Sequence, residues 1–462
     1  MQPDWFLIHH MKLIQDIHIL DRWWRYRQRN AAAKLPAHSL DCPGCGLSLT
    51  VPPLAQGQAA ACPRCRHPLV RVERNPFRAP PALACAALIL MLLVYSQLFI
   101  LVELSGVYAY LTLPEMVRVL LAQDFGFLAE VMLALTFGTP ALFCLLCLYV
   151  YCALVYQQRL PGLLYATRLL VRLRSWMMVD VFFISTLVAY IKLASVAHVT
   201  FGPAFWLMFA LAVLLLRTAQ LIPEHWVYFQ IQRLSGRDPA KLLRTPHTLN
   251  CSECLYHQPA NRSRCSVCGS MLHRRRPHSL RISSAFLLAA LILYFPANLL
   301  PIMISSNPLN TEINTILDGI AYMWRTGDKL IAVIIFSASV AVPVVKIIAI
   351  MVLLYSAQVR PLLSHMRLAW LYRFTESVGR WSMVDIFVII ILMASFRTPL
   401  ARVTAGPAAV YFCLVVLLTM FAAQYFDPRL LWDKIHAPAK PSRHPPAHRP
   451  AYPRLKNTAP PP

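Results

Sequence analysis

Long apolar runs, separated by short polar and basic stretches, alternate along most of the chain. Several of these runs exceed the 18 or so apolar residues that indicate a helix crossing the hydrocarbon core of a bilayer. The pattern therefore predicts eight membrane helices, near residues 82–102, 127–152, 177–195, 204–222, 284–304, 330–355, 381–396 and 408–424.

The eight predicted helices form two groups of four that resemble each other in sequence. Three features recur at matched positions: SWMMVDVF (175–182) with RWSMVDIF (380–387), TFGPA (200–204) with TAGPA (404–408), and Pro140 with Pro343. Repeats of this kind indicate a tandem duplication. Because four spans return the chain to its starting side, the two halves share one orientation and are not inverted repeats.

Composition and charge support a membrane protein and indicate its orientation. Of the 462 residues, 58% are hydrophobic and 14% are charged, against about 25% charged residues in soluble proteins. The formal net charge of +24 comes from basic residues in loops and tails, which favours contact with lipid headgroups over nucleic-acid binding. Four arginines and no acid occupy residues 156–176, whereas residues 103–125 carry three acids and one arginine. The positive-inside rule therefore places both termini and the arginine loops in the cytoplasm.

The two ends of the chain fall outside the apolar runs. Residues 1–35 form a lead without a secretory cleavage site, and they either lie on the membrane as an amphipathic helix or remain disordered. Residues 435–462 are basic and proline-rich, which predicts a disordered tail. Between the second and third spans, LLYATRLLVRLR (163–174) has the spacing of an amphipathic helix at the membrane surface.

Eight of the thirteen cysteines form four CxxC pairs, two ahead of each group of helices. Two such pairs can direct four thiolates at one ion and form a closed tetrahedral site. Reduced cytoplasmic thiols and the absence of a βαβ pattern argue against disulfides or a redox motif. The spacing predicts two structural zinc ribbons, at 36–75 and 245–275, with iron in a rubredoxin-like site as the alternative. The predicted ligands are Cys42, Cys45, Cys62, Cys65, Cys251, Cys254, Cys265 and Cys268.

The predicted fold is thus an all-α polytopic membrane protein. Two tandem four-helix modules, 76–235 and 280–434, each follow a small cytoplasmic zinc ribbon.

Charged residues inside the second module are the strongest candidates for function. Asp385 is predicted roughly 7–8 Å, and Lys346 about 13 Å, from the cytoplasmic ends of sequential helices. A lone charge at such depth costs at least ~2.5–3.5 kcal/mol, so we expect the two to pair or to be hydrated. Ser339, Ser382 and Thr419 accompany them at helical spacing. The set is either a polar transport pocket or a group of interhelical hydrogen bonds.

The first module carries a different polar set. Asp180 aligns with Asp385, but Phe143 takes the place of Lys346, and Lys192 lies towards the outer end of its helix. In the second module, Pro296, Asn298 and Pro301 interrupt the fifth helix, a feature typical of transport sites. The second module is therefore predicted to carry the activity, with Asp180 and Lys192 as further candidates.

These motifs resemble the paraquat-inducible protein A family. The resemblance extends from about residue 42 to 433 and rests on RRRPHSL, FPANLLPI, VPVVK, GRWSMVDIFVI, GPAAVYF and FDPRLLWD. It implies a multi-pass protein of the Gram-negative inner membrane that moves phospholipids with a periplasmic MCE-domain tunnel protein. It also implies a functional role for the second-module polar residues and zinc binding by the eight cysteines. One member of the family has an acid at the position of Ser195, three residues after Lys192, and this difference argues against a charge relay through the first module.

Two functions remain open at this point. The first is a lipid transport subunit that loads or unloads a periplasmic tunnel through the second-module pocket. The alternative is a non-transporting membrane scaffold whose ribbons recruit partners. An enzyme is not predicted, because the chain has neither a nucleotide-binding GxxxxGK[ST] loop nor an HExxH zinc motif, and no nucleophile–base set stands out.

Overall fold

The structure is a computed structural model that describes residues 35–104, 107–193, 198–239, 245, 247–306, 311–327, 329–395, 397–398 and 401–433. The predicted N-terminal lead up to residue 34 and the basic tail from residue 434 lie outside this part. Within the described residues, eight helical segments are long and apolar enough to cross a membrane, as the apolar runs predicted.

The described part of the first module contains eight α-helices, six of which make up its four candidate spanning segments. Its helices are α1 (Ala79–Ser96), α2 (Leu113–Ala122), α3 (Gly126–Leu133), α4 (Thr139–Tyr156), α5 (Leu163–Leu173), α6 (Val179–Leu193), α7 (Pro203–Gln220) and α8 (Glu224–Leu234). The sequence predicted α5 as an amphipathic helix, and it leads through a 3-10 turn (Arg174–Trp176) into α6. Within the module, α1 packs against α4 and α7.

The second module repeats this order. Its helices are α9 (Ser279–Leu299), α10 (Ile316–Thr326), α11 (Lys329–Phe336), α12 (Val342–Gln358), α13 (His365–Trp381), α14 (Val384–Ser395), α15 (Ala408–Tyr425) and the short α16 (Leu430–Asp433). The first and last spans, α9 and α15, pack along each other as α1 and α7 do. Ser283 at the base of α9 donates a hydrogen bond of 2.7 Å to the carbonyl of Ala422 on α15.

Each second span contains a π turn immediately before its proline. In the first module, Ala134–Gly138 joins α3 to α4 ahead of Pro140, and in the second, Ser337–Ala341 joins α11 to α12 ahead of Pro343. A proline inside a helix has no N–H, and its ring clashes with the carbonyl four residues earlier. The wider turn accommodates this clash, and such bulges often occur at functional sites.

Small β-sheets close both modules at one end, which we call the far end. In the first module, β5 (Ile100–Leu104) pairs with β6 (Val107–Leu111) and β7 (His198–Phe201). The second module has the corresponding strands β10 (Met303–Ser306), β11 (Thr311–Asn314), β12 (Arg397–Thr398) and β13 (Ala401–Ala405). The first and fifth predicted helices extended to residues 102 and 304, but the structure ends them at Ser96 and Leu299 and turns the remainder into strands.

A glycine joins each sheet to the last spanning helix of its module, α7 or α15. Gly202 donates its N–H to the carbonyl of Phe99 at 3.0 Å, and Gly406 donates to Ile302 at 2.8 Å. A Cβ on Gly202 would lie 2.2 Å from the carbonyl oxygen of Leu98. These glycines are therefore required because their backbone packs directly against the short segments that precede β5 and β10.

Gly406→Ala is expected to destabilise the protein by about 1–3 kcal/mol, the usual cost of overpacking a tight site. The new Cβ would lie 1.9 Å from the carbonyl oxygen of Pro301, an impossible contact that only a backbone shift can relieve. Thermal unfolding in detergent measures the effect. Gly319→Ala, in α10 with nothing within 4 Å of the new Cβ, is the control and should leave the melting temperature unchanged or raise it.

The third spans of the two modules form the seam between them. Helix α6 packs against α14, and the rings of Phe182 and Phe387 meet with centroids 5.3 Å apart. These two residues occupy equivalent positions in the repeat, as expected for modules related by an approximate two-fold axis. The helices that carry Asp180 and Asp385 therefore both lie at the centre of the molecule.

The cysteine segments form two small β-hairpin domains at the opposite end, which we call the ribbon end. The first, ribbon 1, contains β1 (His38–Asp41), β2 (Ser48–Val51), β3 (Ala59–Ala61) and β4 (Pro68–Arg71); the second, ribbon 2, contains β8 (Thr248–Asn250) and β9 (His257–Pro259). The ribbons touch each other, because the side-chain amide of Asn250 donates to the carbonyl of Asp41 at 3.0 Å.

Helix α8 links the first module to both ribbons and is buried along most of its length. The ring of His225 stacks against both His38 and Tyr256, with centroid distances of 4.6 and 4.3 Å, and the three rings form one cluster. Burial lowers the pKa of His225 to about 3, so its neutral ring donates from Nδ1 to the carbonyl of Cys254 at 2.7 Å. Near the other end of α8, Gln232 donates to the carbonyl of Val267 at 2.6 Å.

Ribbon 1 also contacts the second module, although it precedes the first module in the chain. The guanidinium of Arg64 lies 4.5 Å from the ring centroid of Trp432 on α16. Just beyond ribbon 2, Arg275 holds Asp433 through two hydrogen bonds, one of 2.9 Å from its Nε. The ribbon end therefore joins both membrane modules.

Candidate functional site: cysteine clusters and buried polar residues

The eight CxxC cysteines form two separate clusters, one in each ribbon. In ribbon 1 the sulfurs of Cys42 and Cys65 are 3.5 Å apart, and those of Cys45 and Cys62 are 3.6 Å apart. In ribbon 2 the corresponding Sγ–Sγ distances are both 3.5 Å. All eight cysteines are buried, and within each cluster the four sulfurs lie within 4.8 Å of one another.

The local backbone explains how four short motifs produce the same geometry. In every knuckle the residue after the second cysteine has a positive φ and donates its N–H to the carbonyl of the first cysteine, at 2.8–3.0 Å. Gly46 and Gly269 adopt this conformation readily, whereas Arg66 and Leu255 adopt it against their usual preference. This closed turn directs both thiols of a CxxC pair to one point.

These clusters fit a metal ion. Tetrahedral zinc with Zn–S bonds of about 2.3 Å requires sulfurs about 3.8 Å apart, close to the observed distances. Four cysteine ligands complete a tetrahedral shell, so either cluster could hold an ion for a structural purpose.

The second-module candidates Ser339, Lys346, Ser382, Asp385 and Thr419 are all buried inside the protein. Lys346 is 2% exposed and Asp385 is 8% exposed, so neither side chain faces lipid. A Cβ on Gly379 would lie 3.6 Å from Nζ of Lys346 and 3.7 Å from Cγ of Met420. The ammonium of Lys346 therefore reaches α13 at its glycine, close to α15.

The direct Lys346–Asp385 ion pair that the sequence suggested is not formed. In the described part of the chain, no hydrogen bond or ion pair reaches Nζ of Lys346, and Oγ of Ser382 has no hydrogen-bond partner either. Lys346 approaches Gly379, which precedes Asp385 by six residues, and the chain breaks its helix between these two positions. Thr419 donates to the carbonyl of Val416 in its own helix at 2.9 Å. A buried ammonium and a buried carboxylate thus occupy one module without contacting each other.

The repeat shows how this polar set replaces an apolar one. With Pro140 matched to Pro343, Ser339 corresponds to Thr136, Lys346 to Phe143 and Asn298 to Tyr95. In the first module the hydroxyl of Tyr95 contacts that of Thr136 at 3.1 Å, and the ring of Phe143 is buried. In the second module, Lys346 takes the place of the Phe143 ring, and the smaller side chain of Asn298 takes the place of the Tyr95 ring. A charged group therefore lies where the first module has a packed aromatic side chain.

The first-module candidates Asp180 and Lys192 lie apart from this set. Asp180, in the first turn of α6, lines a cavity of about 200 Å³ together with Arg174 and Arg380. Lys192 is in the last turn of α6, about 18 Å further along the axis; its side chain, like the whole of Ser195, lies outside the described part. Neither arginine was predicted to belong to this site, although both lie just before α6 and α14, and that position was the available signal.

Comparison with known proteins identifies the family. The sequence model of the family described as "Paraquat-inducible protein A" matches residues 77–232 and 280–436, one match for each membrane module. The chain belongs to this family. The two matches within one chain confirm the tandem duplication that the sequence predicted.

Individual relatives cover most of the chain. The "Intermembrane transport protein PqiA" of Escherichia coli (strain K12) is 35% identical over 402 residues, which is 85% of this chain and 95% of the relative. The "Lipophilic envelope-spanning tunnel protein A" of the same strain is 31% identical over 396 residues, covering 85% and 90% of the two chains. A "Probable intermembrane transport protein" of Haemophilus influenzae is 26% identical over 408 residues, covering 86% and 96%. No solved structure matches the chain.

These relatives are named as transport proteins and not as enzymes. With eight candidate spans, family membership identifies a multi-pass membrane protein with an intermembrane transport role.

Proposed function

We propose that the chain is the inner-membrane subunit of an intermembrane phospholipid transport system. It loads or unloads lipid at a periplasmic MCE-domain tunnel protein through the polar pocket of the second module. Support comes from the names of the relatives, which describe intermembrane transport and an envelope-spanning tunnel. The basic loops at the ribbon end favour placing that end in the cytoplasm, so the far-end sheets would face the periplasm.

The observation that carries the proposal is the buried ammonium of Lys346, which contacts no hydrogen-bond acceptor among the described residues. A charge in the membrane interior is costly, and such residues usually serve a substrate, ion or proton path. Packing between helices alone would not require a charged residue here, because the equivalent Phe143 fills the same position in the first module with an apolar ring. An anionic phosphate entering the pocket would supply the missing partner, and Ser339, Ser382, Asp385 and Thr419 would line its route.

The ribbons, in this proposal, hold zinc at Cys42, Cys45, Cys62 and Cys65 and at the corresponding cysteines of ribbon 2. Bound zinc would supply the folding energy that such small domains lack. At one site His225 donates a hydrogen bond to the backbone carbonyl of Cys254 and so helps to hold that CxxC turn in place. The ribbons then brace α8 and α16 at the cytoplasmic surface.

Co-purification tests the proposal. The full chain, tagged at one end, is extracted from cross-linked host membranes, and its partners are identified by mass spectrometry. We expect an MCE-domain protein and bound phospholipid in the same complex, and neither in membranes that carry the tag alone. Capture of cytoplasmic proteins without any MCE-domain protein or lipid would contradict transport and support the scaffold function instead.

A further inference from the structure

A second cavity, away from the second-module polar set, lies where the two modules meet at the ribbon end. Its volume is about 200 Å³. One wall is apolar and comes from the last turns of α7, and the rim is polar, with Arg174, Asp180, Gln220 and Arg380. Arg380 belongs to the second module, so the site is complete only when both modules are packed together.

Opposite charges face this cavity without pairing. In the described part of the chain, the guanidinium of Arg380 and the carboxylate of Asp180 form no hydrogen bond or ion pair, with each other or with other residues. Both side chains are half-buried. Arg174, the third charged residue of the rim, forms an ion pair with Glu224 at 3.2 Å. Two opposite charges that do not pair, beside an apolar wall, can bind a ligand that has both a positive and a negative group.

The apolar wall continues onto the outer surface of α7. Trp206, Phe209, Val213 and Leu216 are all exposed and follow one another at intervals of three or four residues. Residues at this spacing share one face of a helix. Leu216 also lines the cavity, so the exposed apolar stripe of α7 leads directly into it.

Arginine is well suited to phosphate because its planar guanidinium donates two parallel hydrogen bonds. A carboxylate such as that of Asp180 accepts hydrogen bonds from a primary ammonium, which carries three donors. A phosphoethanolamine headgroup combines these two groups on one short chain, and its acyl tails match the stripe on α7.

We propose that this cavity binds the headgroup of a phosphatidylethanolamine-type lipid from the leaflet at the ribbon end. Arg380 holds the phosphate, Asp180 holds the ammonium, and the acyl chains lie along α7. The inference goes beyond the proposed function, because it concerns binding at a site separate from the Lys346 pocket and requires no transfer of lipid.

The test is site-specific photo-cross-linking. The full chain is placed in phosphatidylcholine nanodiscs that contain a trace of phosphatidylethanolamine or phosphatidylglycerol with a diazirine in one acyl chain. After illumination, tandem mass spectrometry quantifies labelling of residues 206–220. We expect the phosphatidylethanolamine probe to label this segment about tenfold more than the phosphatidylglycerol probe, the effect of one charge-assisted hydrogen bond.

Substitutions test the roles of the two charged residues one at a time. Arg380→Ala should lower phosphatidylethanolamine labelling about tenfold, and Arg380→Lys should restore part of it. Asp180→Asn should remove the preference between the two probes. The control is Arg172→Ala, which removes an exposed positive charge on α5 without touching the cavity and should leave labelling unchanged.

Equal labelling by the two probes in the unmodified chain would overturn the proposal. So would unchanged phosphatidylethanolamine labelling in Arg380→Ala and Asp180→Asn chains that unfold at the wild-type temperature. Because labelling measures binding alone, the result does not depend on whether the chain transfers lipid.

Discussion

Replacing Lys346 with methionine is expected to reduce lipid transfer about a hundredfold and, at the same time, to raise the stability of the protein. The loss of transfer follows from removing the charge that would hold a lipid phosphate, an interaction of roughly 3 kcal/mol. The gain in stability follows because a charge inside the membrane costs at least ~2.5–3.5 kcal/mol, and Nζ of Lys346 has no hydrogen-bond partner in the described structure. Methionine retains most of the volume of lysine without the charge.

Two measurements on the same variant check this result. Transfer of a fluorescent phospholipid is followed from proteoliposomes holding the chain and the proposed MCE-domain partner to acceptor vesicles, and thermal unfolding is followed in detergent. Phe143→Leu, at the equivalent position of the first module, is the matched control. It should lower stability through the lost packing of a buried ring and leave transfer intact. A Lys346→Met chain that transfers lipid at the wild-type rate would contradict a transport role for the second-module pocket.

Replacing Cys254 with serine is expected to remove one of two metal ions per chain and to unfold ribbon 2. Binding of zinc to four thiolates supplies roughly 10–16 kcal/mol in small domains of this kind, and that energy is folding energy. The loss should spread to α8, because the carbonyl of Cys254 accepts the hydrogen bond from His225 and Tyr256 stacks on the same ring.

Metal content by plasma mass spectrometry and limited proteolysis of the ribbon end measure these effects. The first method also identifies the metal and so distinguishes zinc from iron. Cys85→Ser, an exposed cysteine on α1, is the control and should change neither metal content nor cleavage. Two ions per chain in the Cys254→Ser protein would contradict a closed four-cysteine site.

The parts of the fold that depend on local pattern could be predicted from the sequence. Apolar runs predicted the eight spans because burial in lipid requires length and composition alone. The CxxC spacing predicted the two cysteine clusters because each knuckle is fixed by a hydrogen bond within a few residues. The matched motifs around Asp180 and Asp385 predicted the duplication for the same reason.

Features that depend on distant partners could not be predicted in this way. Strand β5 pairs with β7 about a hundred residues later, and neither segment alternates clearly enough to signal a sheet. Helix α8 looks polar in sequence, yet its polar atoms are buried because the ribbons fold over it. Gly379 has no side chain, so the ammonium of Lys346 can approach α13 at that point. Helical spacing in the sequence does not reveal this approach, and it therefore does not give the distance between Lys346 and Asp385.

The contact between Arg64 and Trp432 has a consequence for the order of assembly during synthesis. Ribbon 1 emerges from the ribosome first, and its cysteines can bind metal at once. Its partner on α16, however, belongs to the last helix of the described residues, about 370 residues later in the chain. The earliest domain to fold is therefore among the latest to dock, and a chain truncated before α16 would leave ribbon 1 folded but without its anchor on the second module.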